Sequence, residues 1–220
     1  MTAKERLVEA AFALFAERGY DHTTIDDITE RAGVGRTTFF RTFRAKEDVI
    51  FPDHEVLLQA IEARLAASTE RTALLAVTEG TRVVLRHYLA EGELARTRYR
   101  LTRSVPALRD REISGLRQYQ RLFRGFLHRW MGGGEDTALR AELMAGAVVT
   151  AHNHVLRRWL RGRSSDPERE FDAAMAETVA LFTRPEDDGE ASIVVFRTTK
   201  DLATVLPELN RVLGEGLSPA

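Results

Sequence analysis

The sequence predicts an all-α protein, with an N-terminal three-helix head carrying a helix-turn-helix and a larger helical bundle behind it. Three observations carry that prediction. Apolar residues recur at i, i+3, i+4 and i+7 through most of the 220 residues. Glycines and prolines interrupt this pattern at helix-length intervals, at Gly19, Gly33, Pro52, Gly92, Pro106, Gly132 and Pro167. The stretch from Thr24 to Asp48, TIDDITERAGVGRTTFFRTFRAKED, reads as two short helices around a tight turn.

Taken in order, residues 4–18 form the first helix, because Leu7, Ala10, Ala11, Leu14 and Phe15 make one apolar stripe. Gly19 is the residue expected just past its end. Thr24 suits an N-cap and Asp27, three residues on, completes a capping box. Ile25, Ile28 and Ala32 then face inward. Gly33-Val34-Gly35 can reverse the chain in three residues. A second short helix starts near Arg36, with Phe39 and Phe43 inward and Arg36, Thr37, Phe40 and Arg41 outward.

Lys46 opens a fourth helix containing Val49, Val56, Leu57, Ile61 and Leu65, with a kink or a late start expected at Pro52. From Thr69 to Trp130 the spacing is helical, with breaks at Ala90-Glu91-Gly92 and Ser104-Val105-Pro106. Gly132-Gly133-Gly134 is the strongest loop signal in the chain. A long helix from about Asp136 to Leu160 follows, and Asp166 as N-cap with Pro167 behind it starts another that ends near Thr183. Pro185–Gly189 reads as an acidic linker, Ser192–Arg197 as a short strand, and Thr199–Leu213 as a helix.

Composition narrows the function. With 44% hydrophobic and 30% charged residues the chain is a folded globular protein. It has no cysteine, no signal-peptide core and no apolar run of the length that spans a bilayer, so a cytoplasmic protein without membrane attachment is expected. The net charge of −1 gives no global attraction to DNA, so any such binding must be local. A local patch exists: Arg31, Arg36, Arg41, Arg44 and Lys46 follow one another with no carboxylate between Arg31 and Lys46. A cationic outward face on the second helix of a helix-turn-helix is the footprint of phosphate and major-groove binding. Arg36 and Arg41 are the candidates for base edges, where a guanidinium can fork onto guanine.

The body offers no catalytic or metal constellation. His152 and His154 are two apart, on different faces of a helix, and no His-x-x-x-His or Glu-x-x-His pair occurs. There is no Gly-x-Ser-x-Gly elbow and no phosphate loop after a strand, so neither an enzyme nor a cofactor is expected. The aromatic residues Tyr88, Tyr99, Tyr119, Phe123, Phe126 and Trp159 serve either as core or as the wall of an apolar ligand pocket. Asn153, amid alanine, valine and leucine, is the candidate for orienting a ligand. Arg96, Arg100 and Arg103 are either a solvated helix face or cations at a pocket mouth.

The run AAFALFAERGYDHTTIDDITERAGVGRTTFFRTFRAKEDVI resembles the N-terminal domain of TetR-type regulators nearly position by position. RTRYRLTRSVPALRDREISGLRQYQRLF and VTAHNHVLRRWLRG are similar to an actinobacterial-looking branch around the mycofactocin-cluster repressor, which is associated with acyl-CoA-like ligands. The resemblance implies a ligand-responsive DNA-binding regulator, a repressor, that binds a palindromic operator as a homodimer and releases it on binding a small apolar effector. It implies that Thr24, Thr42 and Lys46 hold phosphates, with Gly35, Thr37 and Thr38 completing the DNA-binding surface. Phe40 stands where the family usually has tyrosine and Thr42 where it often has histidine, so one hydroxyl–phosphate bond is missing and another interaction is uncharged. The head is expected over residues 1–48 and the ligand-binding and dimerisation body over 49–220. Helices 136–161 and 167–183 are the expected dimer interface, through residues such as Leu139, Leu143 and Val148. The alternative is an architectural DNA-binding dimer with no effector.

Overall fold

The structure, a computed structural model, describes residues 1–183. The acidic linker, the strand and the last helix expected beyond Thr183 lie outside the described residues. Among the described residues the secondary structure is helical, without strands: α1 (Ala3–Arg18), α2 (Ile25–Ala32), α3 (Arg36–Thr42), α4 (His54–Ala66), α5 (Ala73–Glu91), α6 (Glu93–Ser104), α7 (Pro106–Trp130), α8 (Glu135–Leu160) and α9 (Pro167–Thr183). Short 3-10 turns at Lys46–Val49 and Glu70–Thr72 precede α4 and α5.

Side chains written in the sequence set these boundaries. Thr2 and Glu5 form a capping box on α1, and Thr24 and Asp27 form one on α2. Gly33 ends α2 in the left-handed region (φ 62°, ψ 40°), its N–H donating to the Glu30 carbonyl while that of Val34 reaches Thr29. Gly35 caps α3 from ordinary extended backbone (φ −77°). The helix expected to open at Lys46 starts late, at His54. Pro52 keeps Phe51 out of helical geometry, and the Asp53 carboxylate, accepting from the Val56 N–H at 3.4 Å, caps the new start.

Two cores result. The first gathers Leu7, Phe15, Tyr20, Ile28, Phe39 and Phe43 from the head with Val49 and Ile50 just past residue 48, and Leu108 from the start of α7 is buried with them. Leu94, Leu101 and Val105 from α6 and its end pack on the same core. The second holds Ile61, Leu85, Phe123, Leu127, Met144, Val148 and Phe171 among the longer helices. The α6 helix therefore lies between the head and the interior of the bundle. On the far side, α8 packs against α7 and α9. It leaves Leu139 and Leu143 exposed to solvent (67% and 56%), as α9 leaves Leu181, whereas Val148 is buried within its own subunit.

Candidate nucleic-acid interface and interior cavity

The α3 helix is seated by Phe39, fully buried, and by Phe43 just past its end, with ring centroids 5.6 Å apart. That anchoring turns Arg36, Thr37, Phe40 and Arg41 to solvent, while Thr38 and Thr42 are half-buried. The Thr42 hydroxyl donates to the Thr38 carbonyl at 3.0 Å, which closes the last turn. Arg41 makes no hydrogen bond or ion pair with any described residue. Arg36 does: its Nη1 donates to Oδ1 of Asp26 on α2 at 2.5 Å, and its guanidinium carbon lies 5.4 Å from the Phe40 ring centroid. Both partners of that pair are more than half exposed.

The two residues expected to hold phosphates from outside α3 are engaged within the head. Thr24 accepts from the Asp27 N–H and donates its hydroxyl to the Asp27 carboxylate at 2.6 Å, so its side chain is the cap of α2. These bonds to Thr24, with the Arg18 guanidinium, hold the Asp27 carboxyl down at about 2. Lys46 donates to the carbonyls of Tyr20 (2.8 Å) and Thr23 (2.9 Å) and sits 3.9 Å from the Tyr20 ring centroid. Two of its three N–H donors are thereby used, leaving one for a phosphate. Arg44 belongs to the cationic run without being a sequence candidate for the DNA-binding surface, yet it is exposed and has no side-chain partner among the described residues. It lies on the extended segment after α3, where no helical period marks its direction.

Inside the bundle, α5, α6, α7 and α8 enclose a cavity of about 180 Å³. Of the sequence candidates, Tyr88, Tyr99, Tyr119 and Asn153 line it. Arg96, Arg100, Arg103, Phe123, Phe126 and Trp159 do not. Phe123 is fully buried against Gly80, and Phe126 packs on the outer side of the same core. The Arg96 guanidinium covers the Trp159 ring at 5.1 Å, and Arg100 pairs with Glu93 on the surface. Arg103 stands over the outer face of Tyr99 at 5.7 Å, and Arg161 donates to the Tyr99 hydroxyl at 2.7 Å. The exposed Arg157 lines the cavity itself, and Arg103 and Arg161 reach it only through Tyr99.

Several lining groups escape a reading of the sequence: Phe51, His54, Arg98, Glu112 and Arg157. Arg98 had a signal, since Leu94, Arg98, Leu101 and Val105 make one stripe of α6 at helical spacing with a cation in its middle. It is 4% exposed, and both of its Nη atoms fork onto the Glu91 carboxylate at 2.5 and 2.8 Å. Burial would push the Glu91 carboxyl up; the Arg98 fork and His87 outweigh it and hold it at about 2. His54 Nδ1 and the Tyr119 hydroxyl are hydrogen-bonded at 2.8 Å, and burial lowers the His54 pKa. Burial pushes the Tyr88 hydroxyl up to about 12 and raises the Glu112 carboxyl, which has no partner among the described residues. His152 is buried against Phe171 with Nε2 unpartnered, and burial drives it down to about 4.

A larger cleft of about 620 Å³ opens between the head and α7, but it is polar, and four of its charged side chains are paired with one another as Lys4–Asp53 and Arg111–Asp48. An apolar molecule is better served by the smaller, aromatic cavity.

Two family patterns match this chain, one after the other. The sequence pattern of "Bacterial regulatory proteins, tetR family" matches residues 7–51, and that of "MftR C-terminal domain" matches residues 71–183. The chain is 27% identical over 176 residues to the putative mycofactocin biosynthesis transcriptional regulator MftR of Mycobacterium tuberculosis, covering 74% of this chain and 82% of that one. It is 34% identical over 122 residues to the HTH-type transcriptional regulator TcmR of Streptomyces glaucescens, about half of each chain (54% and 52%). Among solved structures, the SmeT–triclosan complex superposes with a TM-score of 0.60 at 19% identity, over 88% of this chain and all of that one. A regulator from Aquifex aeolicus VF5 gives 0.54 at 16% identity, over 82% and 99%.

Proposed function

Because this chain belongs to the TetR family of bacterial regulators, we propose that it is a repressor that binds a palindromic operator as a homodimer and lets go when a small apolar effector fills the bundle cavity. Members of the family are transcriptional regulators, not enzymes. Among the described residues no helix is long and apolar enough to cross a membrane. The reading places the protein in the cytoplasm of an actinobacterium, with the head at 1–48 acting on DNA and the remainder on effector and partner.

The observation that carries the proposal is the outward face of α3. Arg36, Thr37, Phe40 and Arg41 stand exposed on a helix held from behind by Phe39, with no carboxylate of their own helix beside them. Arg41 is free to reach a base edge, and Arg36 reaches one by leaving Asp26. Thr37 and Thr38 flank them, and Lys46 with its remaining N–H and the backbone N–H groups that follow Gly35 supply bonds to phosphate, which Thr24 and Thr42 join by giving up their bonds to Asp27 and to the Thr38 carbonyl. One recognition helix reads too few bases, so two are needed. The exposed Leu139 and Leu143 of α8, with Leu181 of α9, offer the apolar face that a two-fold partner covers.

For the effector we propose an acyl-CoA-like molecule bound acyl end first. A void of about 180 Å³ is comparable with engineered cavities of about 150 Å³ that take a benzene ring, so it admits part of an acyl chain and not a coenzyme. The phosphates would remain outside, on Arg103, Arg157 and Arg161, with Arg96 and Arg100 further along α6. Deepening the slot would move α6 against the head core and spoil the head spacing of roughly 34–36 Å that half-sites one turn apart require. Fluorescence anisotropy on a palindrome selected from random DNA tests both parts. Release by a micromolar acyl-CoA is the expected result. A tight palindrome indifferent to every acyl-CoA would remove the effector assignment, and no preferred sequence would remove the specific-repressor reading.

A further inference from the structure

We propose that Arg98 is the positioning residue that ties the head to the effector cavity, through a hydrogen bond from its Nε to the main-chain carbonyl of Ile50. Three elements meet at this one guanidinium. Glu91 closes α5 and takes both Nη atoms. Arg98 itself belongs to α6, and its guanidinium carbon lies 5.4 Å from the Tyr88 ring centroid. Ile50 is the last fully buried residue of the head core before the Pro52 break, in a segment that belongs to no helix. Its carbonyl lacks a helical partner and takes the Arg98 N–H instead.

The other polar links between head and body are on the surface. Lys4–Asp53 is nearly half exposed on both sides, and Arg111 of Arg111–Asp48 is half exposed, so water screens each. The Arg98 link is the buried one, and it is made by a side chain that also lines the cavity next to Phe51 and His54. Three of its five N–H donors are committed, leaving two for an acceptor atom of a bound molecule. A molecule in the cavity therefore touches the group that sets where residue 50 sits. Lysine could not replace it, since a single ammonium has no planar fork to address Glu91 and Ile50 together.

The consequence for DNA rests on the regulator reading, but the tie itself can be tested without DNA or effector. In the full-length protein, Arg98→Lys keeps a charge opposite Glu91, and Glu91→Gln/Arg98→Gln removes both charges so that neither is left buried alone. Amide hydrogen exchange is followed at residues 48–57 and, as an internal control, at 141–156 in α8. A chain without cysteine also accepts a single spin-label pair, at Glu30→Cys in the head and Gln118→Cys in α7, for pulsed electron resonance. Both variants should exchange about tenfold faster at 48–57 alone and broaden the head-to-body distance distribution. If Arg98→Lys leaves both readouts within about twofold of the parent, or speeds exchange in α8 equally, Arg98 is only a stability residue and the proposal is wrong. Should the double variant fail to fold, Arg98→Lys decides alone. Operator binding by the parent protein reports separately on the regulator reading.

Discussion

Arg36 and Arg41 start from different states on the same face of α3, one held by Asp26 and the other unpartnered, and their deletion should read differently. Arg41→Ala removes a free fork and should weaken operator binding by about 1–3 kcal/mol, relaxing discrimination at one base pair per half-site; anisotropy on operators with single base changes measures this. Were Arg41 bound to a phosphate instead, the same change would weaken binding to every sequence alike. His152 invites a second test. Burial drives its imidazole from an ordinary 6.5 to about 4, so the native state is favoured when the ring is neutral. That contribution is whole above about pH 6.5 and is lost progressively as the pH falls towards 4, where the loss amounts to on the order of 3 kcal/mol. In His152→Met, urea melts between pH 7 and 4 should show a shallower decline than in the parent. An equal decline would mean that protonation of other groups dominates.

At the scale of elements, the α2–α3 turn depends on a single backbone conformation. A Cβ on Gly33 would meet nothing closer than Arg6 Nη1 at 3.9 Å, so space is not the constraint; the left-handed φ is. Gly33→Ala should therefore cost about 1–2 kcal/mol in a denaturant melt, whereas Gly35→Ala, at φ −77°, should not carry this penalty. The elements whose ends are written in local chemistry were legible in the sequence: the Thr24–Asp27 box, Gly33 after α2, and Pro106 and Pro167 at the first turns of α7 and α9. The late start of α4 was half legible, since Pro52 announced a break but not that Lys46–Val49 would close as a separate 3-10 turn. Membership of the cavity was not legible. Tyr119, Phe123 and Phe126 continue one apolar face of α7, and periodicity cannot say that Tyr119 meets a void while Phe123 meets Gly80. That is decided by which neighbouring helix brings a small residue to each level. Arg98 was hidden for a related reason: a cation in an apolar stripe looks solvated until a distant carboxylate and a free carbonyl are seen to converge on it.

For the molecule as a whole, a net charge of −1 means that DNA meets no general attraction, only the patch on the head. Nonspecific affinity, and how long the protein lingers on the wrong sequence, are set by the few cations available there. The Arg36–Asp26 bond makes one of them conditional. The Asp26 carboxylate occupies Arg36 before any phosphate arrives, acting as a resident competitor built into the neighbouring helix. On random DNA, giving up that partner would return little, so the arginine would stay with Asp26 and the protein would move on. On the proposed operator a base edge would offset the exchange. Asp26→Asn should then bind random DNA up to about fivefold more tightly and dwell longer on it, with a smaller gain on the operator; dissociation rates from the two DNAs at matched salt measure the difference. A carboxylate that contributes little to holding the head together would thus shorten the search of a chromosome.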